Sequence, residues 1–402
     1  MTYINILNEI QDLIEIIFNF ILNIYSIIIF SLLIIAYHFL LFIIRDKKYA
    51  LALKKYKDPE DVKIEDLKEL PLINIIIPAW KEGKIFDGCL SRLKNLSYPE
   101  VNIIVNAGGS EETIEIANSY KKYDNFTILY QKTGGGKLKA INDCLNQVNK
   151  GIVILIDADA YLTDDMLLKM IFPLTNLNEN VVSVSSKIHE SVENKDLAKY
   201  LYINRNTHFK RKPSKYVHWV GPNSVIKYQV IKAIGKFTEK RLTDDNYSIG
   251  LDFKSKGFRI FYINKFKVQS FNYPDKIINY IRQNLRWLEN DLFYPGVKKK
   301  LFYLKFLVLS LLSVFLFVSL IFIFFNIYIV FIGILFLMNM YFNKIRKILF
   351  YKLTNKQNSF HIPFKFFIKI IFYIYVDAMM NIIVLGETLF YRKAYKKRKN
   401  IE

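Results

Sequence analysis

The stretch GIVILIDADAYLTDD, residues 151 to 165, ends an apolar run on two carboxylates. Ile152 to Ile156 has the composition of a buried strand, and Asp157 and Asp159 follow with only Ala158 between them. Like charges at a strand end repel and lose hydration unless a cation lies between them. Mg2+ and Mn2+ take oxygen ligands and accept one or two carboxylates completed by the phosphates of a substrate. The pair reads as a seat for such an ion with a phosphate-bearing ligand. Taken alone, it reads as well as a solvated acidic turn with Thr163 capping the next helix.

Other stretches carry chemistry of their own. Thr243-Asp244-Asp245 is either a capped acidic helix start or a source of a general base for a hydroxyl group. Gln283, Arg286 and Trp287 stand at i, i+3 and i+4, so one helix face presents them together. The planar fork of Arg286 suits a diphosphate, and Trp287 suits a sugar ring or a membrane interface. Gly134, Gly135 and Gly136 precede Lys137 as in a phosphate loop, but Leu138 stands where that loop needs Ser or Thr. Lys137 is expected to face a nucleotide across a helix start.

Alternating elements must position these groups. Strands are expected at INIII, VNIIV, FTILY and IVILI, with helices at KIFDGCLSRLKNL, EETIEIANSYKKY and GKLKAINDCLNQV between them. This spacing predicts an α/β fold with a mostly parallel, Rossmann-like sheet covered by helices on both faces. Ligands of such sheets lie beyond the carboxyl ends of the strands, where Asp157 and Asp159 are expected.

The flanks are apolar. The chain has 402 residues, is 52% hydrophobic and 16% aromatic, and carries a formal charge of +21. Ile14 to Ile44 exceeds the ~20 residues that cross a bilayer. Acidic residues precede it and RDKK follows it, which predicts a retained span with its start outside and Arg45 inside the cell. Leu301 to Phe342 has the length of a helix hairpin with a turn near Asn326. Phe364 to Phe390 contains Asp377 and Glu387 and precedes RKAYKKRKN, a pattern expected of a re-entrant or interfacial segment as much as of a span. The expected divisions are a transmembrane segment at 1–45, a linker at 46–70, a cytoplasmic domain at 71–275, an interfacial amphipathic helix at 276–297 and a membrane region at 298–402, with its hairpin at 301–343 and the further segment at 364–390. Lys and Arg crowd around the apolar runs, so membrane lipids rather than nucleic acid are the expected partners of the positive charge. Two cysteines, Cys89 and Cys144, are too few for a zinc site and read as buried thiols in a reducing compartment.

In chain order the motifs resemble those of the family 2 glycosyltransferases, in particular the membrane-embedded synthases of cellulose, chitin, hyaluronan and poly-N-acetylglucosamine. The resemblance covers roughly residues 70 to 345. Pro78–Glu82 matches the family's P-x-Y-N-E, with Trp80 for Tyr and Lys81 for Asn. Gly136, Lys137, Ala140 and Asn142 match G-K-x-x-A-L-N, Asp157 and Asp159 match D-x-D, Thr243-Asp244-Asp245 matches T-[ED]-D, and Gln283, Arg286 and Trp287 match Q-x-x-R-W. The resemblance implies a nucleotide-diphospho-sugar transferase fold and inverting sugar transfer. It implies that Pro78, Glu82, Lys137, Asn142 and Asp157 bind the donor nucleotide, and that Asp159 with Asp157 holds Mg2+ or Mn2+. It implies that Asp245 is the general base supported by Asp244, and that Gln283, Arg286 and Trp287 meet diphosphate or acceptor. The implied partners are a nucleotide-diphosphate sugar, UDP-linked by preference, and a polysaccharide or lipid-linked acceptor. HWVGPNS occupies the family's acceptor-site segment, with His218 and Trp219 as its candidates. One motif departs: Ala107 and Gly108 stand where the family's D-D-G-S carries its acids, so the base is read loosely or by other residues, Asn106 or Glu82 among them. Transfer of a single sugar to a polyprenyl phosphate is the alternative enzyme, and a non-catalytic membrane scaffold is the alternative from another class.

Overall fold

The apolar start of the chain forms helix α1, Tyr25–Ala52, which runs on past Arg45 instead of stopping there. It crosses the charges as a π-helical stretch, Phe42–Lys47, and keeps Asp46 wholly buried between Arg45 Nε and Arg346 Nε, each at 2.9 Å. Pairing on both oxygens is what allows a carboxylate to stay in an apolar setting. The computed structural model describes residues 25–53, 61–133, 135–189, 195–206, 216–217, 223–239, 245–271, 273–274, 276–293, 299–321, 327–354 and 361–390. The expected turn near Asn326, with His218, Trp219, Gly134, Thr243 and Asp244, lies outside them. The chain divides into two compact units: Met1–Leu51 with Lys300–Gly386, and Ala52–Lys299 with Glu387–Glu402.

The second unit is built on a nine-stranded sheet. Its strands are β1 (Ile73–Trp80), β2 (Val101–Gly108), β3 (Phe126–Tyr130), β4 (Ile152–Leu155), β5 (Ala160–Tyr161), β6 (Val181–Ile188), β7 (Tyr216–Val217), β8 (Asn223–Lys227) and β9 (Ile260–Ser270). They lie in the order β3-β2-β1-β4-β8-β6-β9-β5, with β7 also on β9. The first four are mutually parallel; β8 runs against β4 and β6, and β9 runs with β6. The helices between them are α2 (Lys84–Lys94), α3 (Glu111–Ser119), α4 (Gly136–Leu145), α5 (Asp164–Asn176), α6 (Asp196–Asn206), α7 (Tyr228–Ile234), α8 (Asp245–Ser255) and α9 (Ile277–Phe293).

Successive strand residues point to opposite faces, and here both faces are covered. Ile75, Ile77, Ile103 and Ile154 pack with Phe86 and Leu90 of α2 and Leu167 and Met170 of α5. Ile76, Ile104 and Val153 pack on the other side with Leu138 and Ile141 of α4 and Phe253 of α8. Two-sided burial is why these strands read as continuous apolar runs. Gly151 sets the start of β4: its φ is +84°, and a Cβ there would collide with the Leu72 carbonyl, which accepts the Ile152 N–H at 2.8 Å. Ser110 caps α3 through the Thr113 N–H, and Thr163 caps α5 through the Met166 N–H as expected.

Three long apolar helices complete the first unit: α10 (Lys299–Ile321), α11 (Ile327–Thr354) and α12 (Phe364–Phe390). With α1 they make four helices long and apolar enough to cross a membrane among the described residues. The segment at 364–390 is one unbroken helix. Gly333 lets α10 and α11 meet closely, since a Cβ there would collide with Ser319.

Candidate active site

The strand order reverses between β1 and β4, and that is where a parallel sheet opens a crevice beyond its carboxyl ends. Pairing of β4 with β1 ends at Ile76 and Leu155. The Ile76 carbonyl still accepts the Ile156 N–H at 3.2 Å, so Pro78, two residues on, turns its nitrogen toward a neighbour that has already left. A proline costs no ladder bond at such a point. Beyond it Lys81 adopts φ 59°, held by its N–H on the Gly108 carbonyl at 3.0 Å, and Thr113 Oγ1 donates to the Glu82 carbonyl at 2.7 Å. These bonds aim Glu82 into the crevice.

Asp157 and Asp159 enter from the other side. The turn after β4 is closed by the Ala160 N–H on the Asp157 carbonyl at 3.0 Å. Asp157 is half-buried and ion-paired with Lys137, which reaches it from the first turn of α4. Asp159 is buried, and its carboxylate accepts a hydrogen bond from Ser270 Oγ at the end of β9. Burial, with the charges of Asp159 and Asp157, pushes the Glu82 carboxyl up to about 7, and Lys137 opposes the shift. Near neutral pH this carboxyl therefore shares a proton with solvent. Glu82, Lys137, Asp157 and Asp159 lie together at this edge, with more negative than positive charge.

The remaining expected residues stand on other elements. Asp245 opens α8 and is half-buried. Gln283, Arg286 and Trp287 share a face of α9, Arg286 exposed and the other two half-buried. That helix is anchored by the buried Tyr280, whose ring lies 6.1 Å from Tyr200 of α6. Asn142 is buried and committed to the segment at 237–239: its Nδ2 donates to the Phe237 carbonyl and to Glu239 Oε1, and its Oδ1 accepts the Phe237 N–H, each at 2.9 Å. Asn106 is also buried, with Nδ2 on the Ala140 carbonyl at 3.2 Å, so its amide lies beneath α4.

Trp80 occupies the ground left by the absent acids. Its indole lies so close to Gly108 and Gly109 that a Cβ on Gly109 would stand 2.7 Å from the ring. Gly109 also has φ +83°. The substitution of Trp in one motif and the loss of acids in another are thus a single packing arrangement.

Several residues at this edge have no signal in the sequence. Ser270 is far from Asp159 along the chain and follows no motif. Asp252 accepts from the Thr238 N–H and Oγ1, both at 2.9 Å, and fixes α8 to the segment that follows α7. Beside Asp159, His189 stacks on Phe271 at 3.9 Å, Tyr161 lies 5.1 Å from His189, and the Arg92 guanidinium covers Tyr161 at 3.6 Å.

Among the described residues, no three His, Cys, Asp or Glu side chains stand so placed that they could hold a metal ion by themselves. Two oxygen-donor carboxylates under mutual repulsion still fit a Mg2+ or Mn2+ ion that draws its other ligands from a bound diphosphate.

Comparison with known proteins adds the following. Residues 74–235 match the family described as Glycosyl transferase family 2. A poly-beta-1,6-N-acetyl-D-glucosamine synthase of Staphylococcus epidermidis is 32% identical over 100 residues, covering 25% of this chain and 24% of that protein. A probable glycosyltransferase of Bacillus subtilis, YdaM, is 27% identical over 196 residues, covering 45% of this chain and 46% of its own length. The matches thus span from about a quarter to about half the length of these relatives. A mannosyltransferase from Pyrobaculum calidifontis, solved in complex with GDP-Man and Mn2+, superposes with a TM-score of 0.50 at 13% identity, covering 90% of this chain and 99% of that one. It shares the fold.

Proposed function

We propose that this chain, whose residues 74–235 match glycosyl transferase family 2, is an inverting transferase that moves a sugar from a nucleoside diphosphate to a growing polysaccharide or a lipid-linked acceptor. The observation that carries this reading is the gathering of Glu82, Asp157, Asp159 and Lys137 in the crevice between β1 and β4.

A departing diphosphate needs compensating positive charge. Lys137 supplies part of it from the start of α4, and Asp157 and Asp159 would hold a Mg2+ or Mn2+ ion. Such an ion would supply stabilisation for the negative charge that grows on the leaving phosphate. Ser270 fixes the orientation of the Asp159 carboxylate, and Trp80 offers an indole face to the donor's base. On the acceptor side, Asp245 takes the proton from the attacking hydroxyl as the new bond forms at the anomeric carbon and the bond to the diphosphate breaks on the opposite face. Arg286 and Trp287 serve diphosphate and acceptor from α9. We place this unit on the cytoplasmic side, because the basic residues at 45–48 and 298–300 flank it.

Turnover of nucleotide sugars by membranes containing the full chain tests the reading. Asp159→Ala is expected to abolish metal-dependent turnover while the protein is still produced. Full activity of that variant, or of the wild type in EDTA, overturns the metal assignment. Product length on a gel separates a polymer from a single addition.

A further inference from the structure

Strand β9 carries a lysine that the sugar-transfer chemistry leaves unused. Val184 of β6 pairs with Ile263 of β9 and Ser186 with Val268, so residues 264–267 bulge out opposite Ser185 alone. Bulges of this kind re-aim side chains beside functional sites. Here the bulge delivers Lys267, half-buried, with Nζ donating to Tyr202 Oη of α6 at 3.1 Å. Among the described residues no carboxylate pairs with this ammonium. Burial pushes it below the usual lysine range. A cation held from water without a counter-ion is costly, and an arriving anion relieves that cost.

The surroundings suit an anion. Val184, Ile263 and Val268 pack on the α2 and α5 face of the sheet, so Ser185 and Lys267, each one residue away, turn to the face of α4 and α8. Ser224 of β8 pairs with Ser183 of β6 on that face. Ser185 Oγ and Ser224 Oγ are buried, and among the described residues neither has a hydrogen-bond partner. A hydroxyl can donate to an oxyanion. Leu155 of β4 packs on the same face, and Asp157, two residues on, meets Lys137 there. In the order β4-β8-β6-β9, Asp157 and Lys267 leave strands three spacings apart, on the order of 14 Å. Lys267 thus stands outside the crevice between β1 and β4, where the diphosphate is placed. Asp245 opens α8, a helix that covers this face.

We propose that Lys267, steadied by Tyr202 and flanked by Ser185, binds a phosphate ester carried by the acceptor, on the face where Asp245 serves the attacking hydroxyl. Lys267 then determines specificity, selecting acceptors that bear a phosphate over neutral ones. A lipid carrier phosphate and a phosphorylated sugar share that group. Naming the occupant an acceptor rests on the transferase reading; the anion site itself does not.

Native mass spectrometry of the full chain in a neutral detergent tests the site without turnover. The probes are a polyprenyl monophosphate, glucose 1-phosphate, and the matching neutral polyprenol and glucose. Each phosphate is expected to bind more tightly than its neutral partner. Lys267→Met should weaken both phosphates about 10- to 100-fold, the worth of a hydrogen bond to a charged group, and keep nucleoside diphosphate affinity within a few-fold. Tyr202→Phe should weaken the phosphates a few-fold, and it keeps the test valid if Lys267→Met does not fold. Lys256→Gln, exposed ahead of β9 at the opposite edge of the sheet, should leave them unchanged. Tighter binding of the polyprenyl phosphate assigns the site to a lipid-linked acceptor, and tighter binding of the sugar phosphate to a phosphorylated saccharide. Equal binding of phosphate and neutral probes, an unchanged Lys267→Met, an equal loss of the nucleoside diphosphate in that variant, or an equal loss in Lys256→Gln overturns the proposal. A chain that binds the phosphates but turns over no nucleotide sugar breaks the transferase reading alone.

Discussion

Strands β3, β2, β1 and β4 all run one way, so only their carboxyl ends reach the crevice. In the other half of the sheet β8 runs backwards, and its first residue, Asn223, lies one residue past the last β4 pair and opposite Val184 of β6, whose last residues run on beside those of β9. That half brings Asn223, Ser186 and Ser270 to the edge, with Asn223 Nδ2 on Ser186 Oγ at 3.1 Å. The parallel half supplies the charges and the mixed half supplies the groups that orient them. Asp159 is where they join, since it leaves β4 and is fixed by β9. Charge can therefore be separated from orientation by mutation.

The sharpest separation lies between donor and acceptor chemistry. Asp245→Asn keeps the shape and removes the basicity. Sugar transfer should fall by ~10²–10⁴, the span of a lost general base, with donor affinity within a few-fold of wild type. Asp244→Asn should be milder. A near-normal rate for Asp245→Asn, or a dead Asp244→Asn, would show that the base lies elsewhere.

Next comes the joint itself. Ser270→Ala leaves every charge in place and frees the Asp159 carboxylate to rotate. Mn2+ affinity, measured by electron paramagnetic resonance in the presence of a nucleoside diphosphate, should weaken about 10- to 100-fold, as for other residues that orient a metal ligand. An unchanged affinity would mean that the mixed half plays no part in donor binding.

On the proposed reading, base recognition falls to the parallel half. With Ala107 and Gly108 in place of acids and Asn106 beneath α4, the indole of Trp80 provides contact area without hydrogen-bond pattern. A uridine donor should be preferred over a guanosine donor by no more than about a hundred-fold, the worth of one or two polar contacts. A larger ratio in competition assays would point to a reader outside β1 and β2.

The smallest effect concerns protons. The Glu82 carboxyl is raised, from 4.5 to about 7, so the metal-free site holds a proton below that pH. An incoming cation must release it. Metal affinity should therefore rise with pH by at most about tenfold per unit and level off above ~7, and Glu82→Gln should flatten the rise. By the same sign, the raised carboxyl costs the metal-free protein stability as pH climbs from 4.5 through 7. A slope in metal affinity that persists in Glu82→Gln would assign the proton to another group.

The two halves also differ in how legible they were. Continuous apolar runs bounded by turns gave β1 to β4 and α2 to α4, because two-sided burial leaves a strong pattern. Strand β8 was hidden, since five residues of mixed character do not announce a reversed direction. The acids and Lys137 stand out in the sequence because their pattern is local: a few residues, close together, ending a strand or opening a helix. Ser270 and Asp252 act across long stretches of chain and are single polar residues like many others. Asn142 shows the opposite difficulty. Its motif suggests a ligand contact, yet its amide is spent on main-chain groups at 237, a use that only the tertiary structure discloses. In the helix unit, RDKK reads as the end of a span, but the partner that lets α1 continue, Arg346, is hundreds of residues away.

The segment from Phe237 to Glu239 is gripped from two sides. Asn142 of α4 holds Phe237 and Glu239, and Asp252 and Ser248 of α8 hold Thr238. The helix that carries Lys137 and the helix that begins with Asp245 are therefore linked by a short strut. In mechanical terms the two cannot swing separately: a displacement of one end is passed to the other as a push. Any opening that admits substrates must take place elsewhere, and a flexible insertion at Thr238 should slacken the timing between departure of the diphosphate and arrival of the acceptor without touching either group.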